Sequence, residues 1–157
     1  LVTKSKLPGD DDMLNAHWTT DIQSKTYKDA LQIRYEVFVD EQQVPKELEI
    51  DDLEEKAHHL VLYQEKQPIG TARIYHLGNQ LYKIQRVAVC KNFRGTGIGS
   101  ALIKECEQQI ALLGGQKITL GAQTHALAFY EQLNYIVEGD EFMDAGIPHL
   151  EMTKILY

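Results

Sequence analysis

The sequence has little of several things, and each shortage excludes something. It contains two cysteines, Cys90 and Cys106, too few and too unpatterned for a disulfide framework or a four-ligand zinc site. A reducing cytoplasm is therefore the expected location, and no metal is expected. Proline is limited to four residues, and no Pro/Gly/Ser-rich tract or repeat divides the 157-residue chain. Long apolar runs are missing too. Stretches such as Leu60 to Tyr63 fall far short of the roughly 18 residues a membrane-spanning helix needs, so no membrane partner is expected. The first twenty residues, with Lys4, Lys6, Asp10, Asp11 and Asp12, hold no apolar core of a signal peptide. The start at Leu1 rather than Met reads as trimmed, residues 1–13 as a loose leader, and residues 14–157 as a single domain. Positive charge is short as well: 16 Lys+Arg face 23 Asp+Glu, for a formal net charge of -7. The general basic field that carries sequence-independent nucleic-acid binding is missing, and no nucleic-acid partner is expected.

What is present is unevenly distributed. From Glu36 to Lys56 nine acids face two bases, which accounts for the whole net charge of -7. From Leu81 to Arg94 the sign reverses, with Lys83, Arg86, Lys91 and Arg94 and no acid. Runs of this kind are usually solvated faces. The basic run, however, leads directly into a glycine cluster, Arg94-Gly95-Thr96-Gly97-Ile98-Gly99-Ser100.

Periodicity gives a mixed α/β order. A short strand is expected near Ala16 to Thr20, then a helix capped by Ser24 and running to about Val37, with Tyr27, Leu31, Arg34 and Phe38 at helical spacing. The acidic segment with Pro45 reads as a loop or short helix. Strands follow at His58 to Tyr63, at Ile69 to His76 and at Leu81 to Cys90. In the last of these Tyr82 and Ile84 occupy even positions but Val87 and Val89 odd ones, so a bulge is expected near Gln85-Arg86. Gly97 to Leu113 reads as an amphipathic helix with Ile98, Leu102, Cys106, Ile110 and Leu113 on its buried stripe and the polar Lys104, Glu105, Glu107 and Gln108 mostly off it, ended by Gly114-Gly115. A strand at Lys117 to Leu120, a helix capped by Thr124, and strands at Tyr135 to Val137 and Leu150 to Leu156 complete the chain.

A glycine loop between a strand and a helix presents free amides and the positive end of the helix dipole, which together suit an anion. Neither familiar phosphate pattern fits. Counted from Gly95, a P-loop would need glycine where Ser100 stands, and G-x-G-x-x-G begun at Gly95 or Gly97 ends on Ser100 or Leu102. A simple tight turn is the plain alternative, although three alternating glycines exceed what a turn requires.

The loop does resemble the acyl-CoA pyrophosphate loop of the GNAT acetyltransferase superfamily, R/Q-x-x-G-x-G/A, carried here by Arg94, Gly97 and Gly99 after Val87-Ala88-Val89. Ala128-Phe129-Tyr130 through Tyr135 is similar to the A-x-F-Y segment of that family, with Asn134 where glycine is common; Asn tolerates the left-handed conformation such a helix end requires. Arg34 to Pro45, Glu49-Ile50-Asp51 and Ile147 to Met152 resemble the ElaA/YjcF-like bacterial branch. The resemblance spans roughly residues 16 to 156. It implies an α/β (α+β) fold with a GNAT-like, mixed, mostly antiparallel central sheet flanked by helices, and acetyl-CoA as co-substrate.

The resemblance also implies roles. The amides of Gly95, Thr96, Gly97, Ile98, Gly99 and Ser100 would bind the CoA pyrophosphate with Arg94 adding charge, and Val87, Ala88 and Val89 would take the pantetheine arm as a pseudo-strand. The Val89 N–H would meet the thioester oxygen. Tyr130 would protonate the departing thiolate; a core tyrosine is its plain alternative. Glu41 is the candidate base, directly or through water, against a reading as solvated surface. Phe38, Glu41 and His149 are candidate acceptor-side residues, His149 otherwise being structural. His58 and His59 alternate across a strand and cannot address one metal together, and Cys90 has no identifiable His/Asp partner. Acetyl transfer to a primary amine of a small molecule or peptide is the leading expectation. A non-catalytic acyl-CoA binding or sensing module and a protein-interaction domain are the alternatives, with homodimer assembly left open.

Overall fold

The computed structural model describes residues 2–6 and 14–156. Strands β1 (Val2–Lys6) and β2 (Leu14–Thr19) are followed by α1 (Lys25–Arg34), a π-helical turn over Tyr35–Glu41, and the short α2 (Lys46–Glu49). Next come β3 (His58–Gln64), β4 (Gln67–Gly78), β5 (Leu81–Val89), α3 (Ile98–Leu112), β6 (Lys117–Gln123), α4 (Leu127–Gln132), β7 (Ile136–Val137), β8 (Phe142–Asp144) and β9 (Ile147–Ile155). The strands form one sheet in the order β1-β2-β3-β4-β5-β6-β9-β7, with β8 also on β9. All pairs are antiparallel except β5 with β6. The expected mixed, mostly antiparallel sheet flanked by helices is thus the observed architecture. Part of the expected loose leader is instead β1, since Val2–Lys6 pair in register with β2; residues 7–13 lie outside the described residues.

Each face of the sheet carries its own core. One is built from Leu60, Leu62, Ala72, Ile74, Tyr82, Ile84, Ile118, Leu120 and Met152 against Ile98, Leu102, Ile103, Cys106 and Ile110 of α3. The other, smaller one sets Ala30, Ile33 and Val37 against Val61, Tyr63 and Ala88. Leu102 is fully buried, and truncating it would cost about 2–5 kcal/mol through lost burial and a residual cavity. Ser24 caps α1 as expected, its side chain accepting from Tyr27 N–H. Helix α3 ends in a Schellman turn: Gly115 N–H donates to Ile110 O at 2.8 Å and Gly114 N–H to Ala111 O at 3.1 Å.

Four expectations need correcting. The first helix does not continue as an α-helix to Val37: it widens to π geometry from Tyr35, which turns Phe38 onto the edge of the smaller core. Leu113 is the C-cap of α3 rather than part of its buried stripe, and is 39% exposed. Glu105, placed off that stripe by its charge, is buried because its carboxylate accepts from Trp18 Nε1–H at 3.1 Å. Thr124 does not cap α4; it opens a 3-10 turn over Thr124–Ala126, and Ala126 takes the cap position without a side-chain bond.

The bulge expected near Gln85-Arg86 is present and shapes the centre of the molecule. Thr71 pairs with Ala88 while Arg73 pairs with Gln85, so Arg86 and Val87 together face Ala72. Arg86 takes a left-handed φ of 54°, which bends β5 and increases its twist. Beyond it Val87 and Val89 rejoin the larger core while Ala88 turns to the smaller one. Pairing of β5 with β6 stops at Ile84↔Leu120, whereas β6 stays paired with β9 out to Gln123↔His149. The two parallel strands therefore diverge, and a V opens beside Val87–Val89.

Candidate active site

The V leads into a cleft of about 380 Å³ lined by Val89, Arg94, Gly95, Gly97, Gly99, Ser100, Phe129, Gln132 and Leu133. Gly95 and Gly97 have φ of 77° and 87°, the left-handed region in which a side chain is strained. Gly97 is the N-cap of α3, so Ile98, Gly99 and Ser100 are its first three residues, whose N–H groups have no intrahelical acceptor. A Cβ at Gly99 would sit 3.3 Å from the Phe129 ring, so the absence of a side chain there lets α3 start against α4. The predicted loop residues are thus brought together, Thr96 included, whose hydroxyl bonds Phe93 O. Ile98 differs in its side chain, which is buried in the core and offers the cleft only backbone.

Directly after β5, Cys90 N–H bonds Ile69 O on β4 at 2.9 Å, continuing the ladder. Hydrogen-bonding direction alternates along an antiparallel ladder, so the N–H and C=O of Val89 point the other way, into the V. Arg94 Nε–H donates to that Val89 carbonyl at 3.0 Å. The other two guanidinium nitrogens form a bidentate pair with Glu41, at 2.8 and 2.9 Å. Glu41 is thus not poised in an open cleft. The hydrogen bonds from Arg94 outweigh desolvation and hold its carboxyl below the usual range.

Tyr130 does not line the cleft; its neighbour Phe129 does. Tyr130 is 8% exposed and meets the rings of Phe129 and Tyr135 edge-on, with centroids 4.9 and 6.0 Å away. Burial, with a smaller effect from Cys106, pushes its phenol up to about 12, so it stays protonated at neutral pH. Asn134 has a φ of 72°, the left-handed conformation anticipated at the end of α4. The Cys90 thiol is pushed up to about 11 by burial and the nearby Glu36 carboxylate, and is therefore not a thiolate.

Across the V, on the side of α1, Gln123 Nε2 donates to Gln42 Oε1 at 3.0 Å and His125 Nε2 lies 2.6 Å from Gln123 Oε1. His149 faces Gln123 in register, is 8% exposed, and stacks on Phe142 with centroids 5.6 Å apart. Phe38 lies half-buried against the smaller core, as Cys90 does. Sequence reasoning missed Phe129, Gln132 and Leu133 as cleft walls and the Gln42–Gln123 tie.

It also missed what the acidic segment does. Glu49, Asp51 and Glu54 interlock with Arg34, Arg73 and Arg86 beneath the bulge. Arg34 bonds Glu49 at 2.7 Å and Glu54 at 2.8 and 2.9 Å; Arg73 bonds Asp51 at 2.9 and 2.7 Å and Glu54 at 2.9 Å. Arg86 Nε lies 3.1 Å from Glu49 Oε2 but off the hydrogen-bonding angle, which leaves it the one sealed side-chain polar atom without a bond among the described residues. Burial would raise the Glu54 carboxyl, but Arg34 and Arg73 outweigh it and hold that group far below the usual range. Two bases of the basic run, Arg86 and Arg94, are thus already paired with the acidic segment. The two runs therefore meet in the fold, through Arg86 with Glu49 and Asp51 and through Arg94 with Glu41.

Comparison with known proteins agrees with this architecture. The family profile described as "Acetyltransferase (GNAT) domain" matches residues 21–156. The uncharacterized N-acetyltransferase YjcF of Bacillus subtilis is 42% identical over 128 residues, covering 81% of this chain and 91% of YjcF. Among solved structures, an acyl-CoA N-acyltransferase from Pseudomonas aeruginosa superimposes with a TM-score of 0.77 at 28% identity, over 87% of this chain and 97% of that one. Escherichia coli ElaA does so with a TM-score of 0.77 at 24% identity, over 88% and 99%. No helix among the described residues is long and apolar enough to cross a membrane. The diverging strands, the glycine loop and these likenesses have one common reading: the chain belongs to the GNAT acetyltransferase family, as a relative of YjcF, and is an acyltransferase.

Proposed function

We propose that the protein transfers the acetyl group of acetyl-CoA directly to a primary amine of a small molecule or peptide, in the cytoplasm. The observation that carries this reading is the V beside Val87–Val89 ending on the N-terminus of α3, where left-handed glycines leave backbone amides bare. The pyrophosphate binds the amides from Gly95 to Ser100. The pantetheine arm lies along the freed edge of β5, and Phe129, Gln132 and Leu133 wall it from the other side.

The Val89 N–H, turned into the V, donates to the thioester oxygen as it gains negative charge; removing comparable donors elsewhere costs roughly 2.7–4 kcal/mol of transition-state stabilisation. Tyr130, which stays protonated at neutral pH and meets Phe129 of the cleft wall edge-on, supplies the proton that the departing sulfur takes. The protonated Cys90 fits direct transfer without an acyl-enzyme. Phe38 and His149 border the side from which the amine arrives. Glu41, tied to Arg94, braces the π-helical turn against the end of β5 and leaves the base role to another group.

The test is release of free thiol from acetyl-CoA with ethanolamine, spermidine, phenethylamine and alanylalanine as acceptors. Turnover with at least one amine is expected, and Tyr130→Phe should lower kcat about 100-fold while acetyl-CoA affinity stays within threefold. Binding of acetyl-CoA without turnover on any amine would favour a non-catalytic acyl-CoA sensing module on the same fold.

A further inference from the structure

We infer that His149 is the general base that deprotonates the acceptor ammonium, acting through Nε2; this rests on the amine reading above. An alkylamine reaches the enzyme as an ammonium and cannot attack until it loses a proton. With Glu41 held by Arg94, the V needs another acceptor of protons, and the α1 side of the sheet offers one.

The geometry around His149 settles which nitrogen is available. Nδ1 lies 2.7 Å from the carbonyl oxygen of Ile147, two residues back on β9. A carbonyl only accepts, so Nδ1 carries the hydrogen and, in the neutral ring, Nε2 carries the lone pair. No described residue bonds Nε2, and Nε2 is not a sealed polar atom, Arg86 Nε being the one such atom without a bond among the described residues. The ring cannot swing freely, because it is 8% exposed and stacked on Phe142 at an interplanar angle of 23°. Backbone bond and stacking together fix a base in one tautomer and one orientation.

Its place in the sheet brings that base to the reaction. His149 pairs with Gln123 at the end of β6, the strand that diverges from β5. Between the imidazole and that diverging edge stands Gly121: a Cβ there would lie 3.8 Å from His149 Cδ2 and 3.1 Å from the Phe142 ring. The tight contact is with Phe142, so glycine lets that ring lie against β6 beside the imidazole and places no β-carbon between His149 and the V.

The charged and titratable groups around it are few. Glu151, two residues on along β9, is occupied by Thr119 Oγ1–H at 2.9 Å. His125 on the turn after β6 is tied to Gln123, and Glu41 on the π-helical turn is tied to Arg94. Phe142, facing it from β8, is apolar.

The step balances as follows. The ammonium gives one proton to Nε2, and the freed nitrogen lone pair forms the C–N bond at the thioester carbon. The oxyanion collapses, the C–S bond breaks with its electron pair on sulfur, and the Tyr130 phenol protonates the sulfur. The second nitrogen proton restores Tyr130, leaving amide, free CoA thiol and one proton on His149 that passes to water.

The experiment is the pH dependence of kcat/KM for the most active amine of the panel, in wild type and His149→Asn. Asn keeps a donor for Ile147 O at the Nδ1 position and lacks Nε2. Wild type should reach a plateau while the acceptor is still an ammonium. The variant should be about 100-fold slower at pH 7, climb tenfold per pH unit as free amine accumulates, and converge with wild type near pH 9. A uniform loss at every pH, or no loss, overturns the assignment to His149. Should His149→Asn not fold, His149→Gln is read by the same curve. Wild type inert towards every amine would instead overturn the amine reading itself, and this inference with it.

Discussion

The cluster beneath the bulge and the loop beyond it use arginine in opposite ways. Arg34 and Arg73 are each 1% exposed and are surrounded by carboxylates of one short segment, with Tyr27, the Asp51 amide and Gln85 filling remaining positions. Arg94 is exposed and holds a single carboxylate, that of Glu41, from a distant turn. In the cluster Arg34, Arg73, Glu49 and Glu54 leave water together, with Arg86 and Asp51 partly exposed at the margin, so losing one of the buried charges strands the others in a low-dielectric setting. At the loop the pair stays in solvent, where screening makes it cheap to break. The buried set fixes the bend in β5; the exposed one remains exchangeable beside a site built for an anion.

The largest effect is expected where this contrast is sharpest. Glu54→Gln leaves Arg34 and Arg73 short of a charge and should cost about 3–5 kcal/mol, lowering Tm by about 6–20 °C in a thermal melt. A drop under 3 °C would mean that the cluster is not the brace described here. Gly97→Glu acts on the other region. It should weaken acetyl-CoA binding at least about 100-fold by isothermal titration, whereas left-handed strain limits its stability cost to about 1–2 kcal/mol. Unchanged CoA affinity would contradict the assignment of the loop.

Acid should reach the two regions unequally. The Glu54 carboxyl titrates lower in the folded protein than in the unfolded chain. Its contribution is therefore complete above about pH 4.5, the unfolded range, and is lost as pH falls below it. Chemical denaturation from pH 5 to pH 2.5 should show unfolding free energy declining, and Glu54→Gln should flatten that decline. The smallest effect is expected at the exposed pair: Glu41→Gln should change stability by less than about 1 kcal/mol. A loss comparable to that of Glu54→Gln would erase the distinction between the two regions.

What could be read in the sequence follows the same line. The glycine loop, the Ser24 cap, the left-handed Asn134 and the shift of phase between Ile84 and Val87 are local signals, each carried within a few residues. The bulge was legible because side chains alternate with a period of two and one extra residue reverses the parity. The cluster was not, because it joins Arg34, Arg73 and Arg86 to carboxylates 15 to 37 positions away. Acidic residues destined for such pairs look like any solvated run. Glu105 was misplaced for the same reason, its partner Trp18 being 87 positions distant. The free nitrogen of His149 depends on a backbone carbonyl that only coordinates reveal.

The left-handed Arg86 has one more consequence, for how the chain tolerates change in length. Removing that single residue would restore an unbroken ladder between β4 and β5, with Val87 alone opposite Ala72, and would leave Val87 and Val89 facing α3 and Ala88 facing α1, because the pairs on either side of the bulge already lie in that register. The two cores would keep their side chains, while the local bend and added twist of β5 and the third arginine of the buried cluster would be lost. A one-codon deletion at position 86 would thus straighten the strand beside the V without exchanging its faces, while an insertion in the exposed turn at Gly78-Asn79 would merely lengthen a loop.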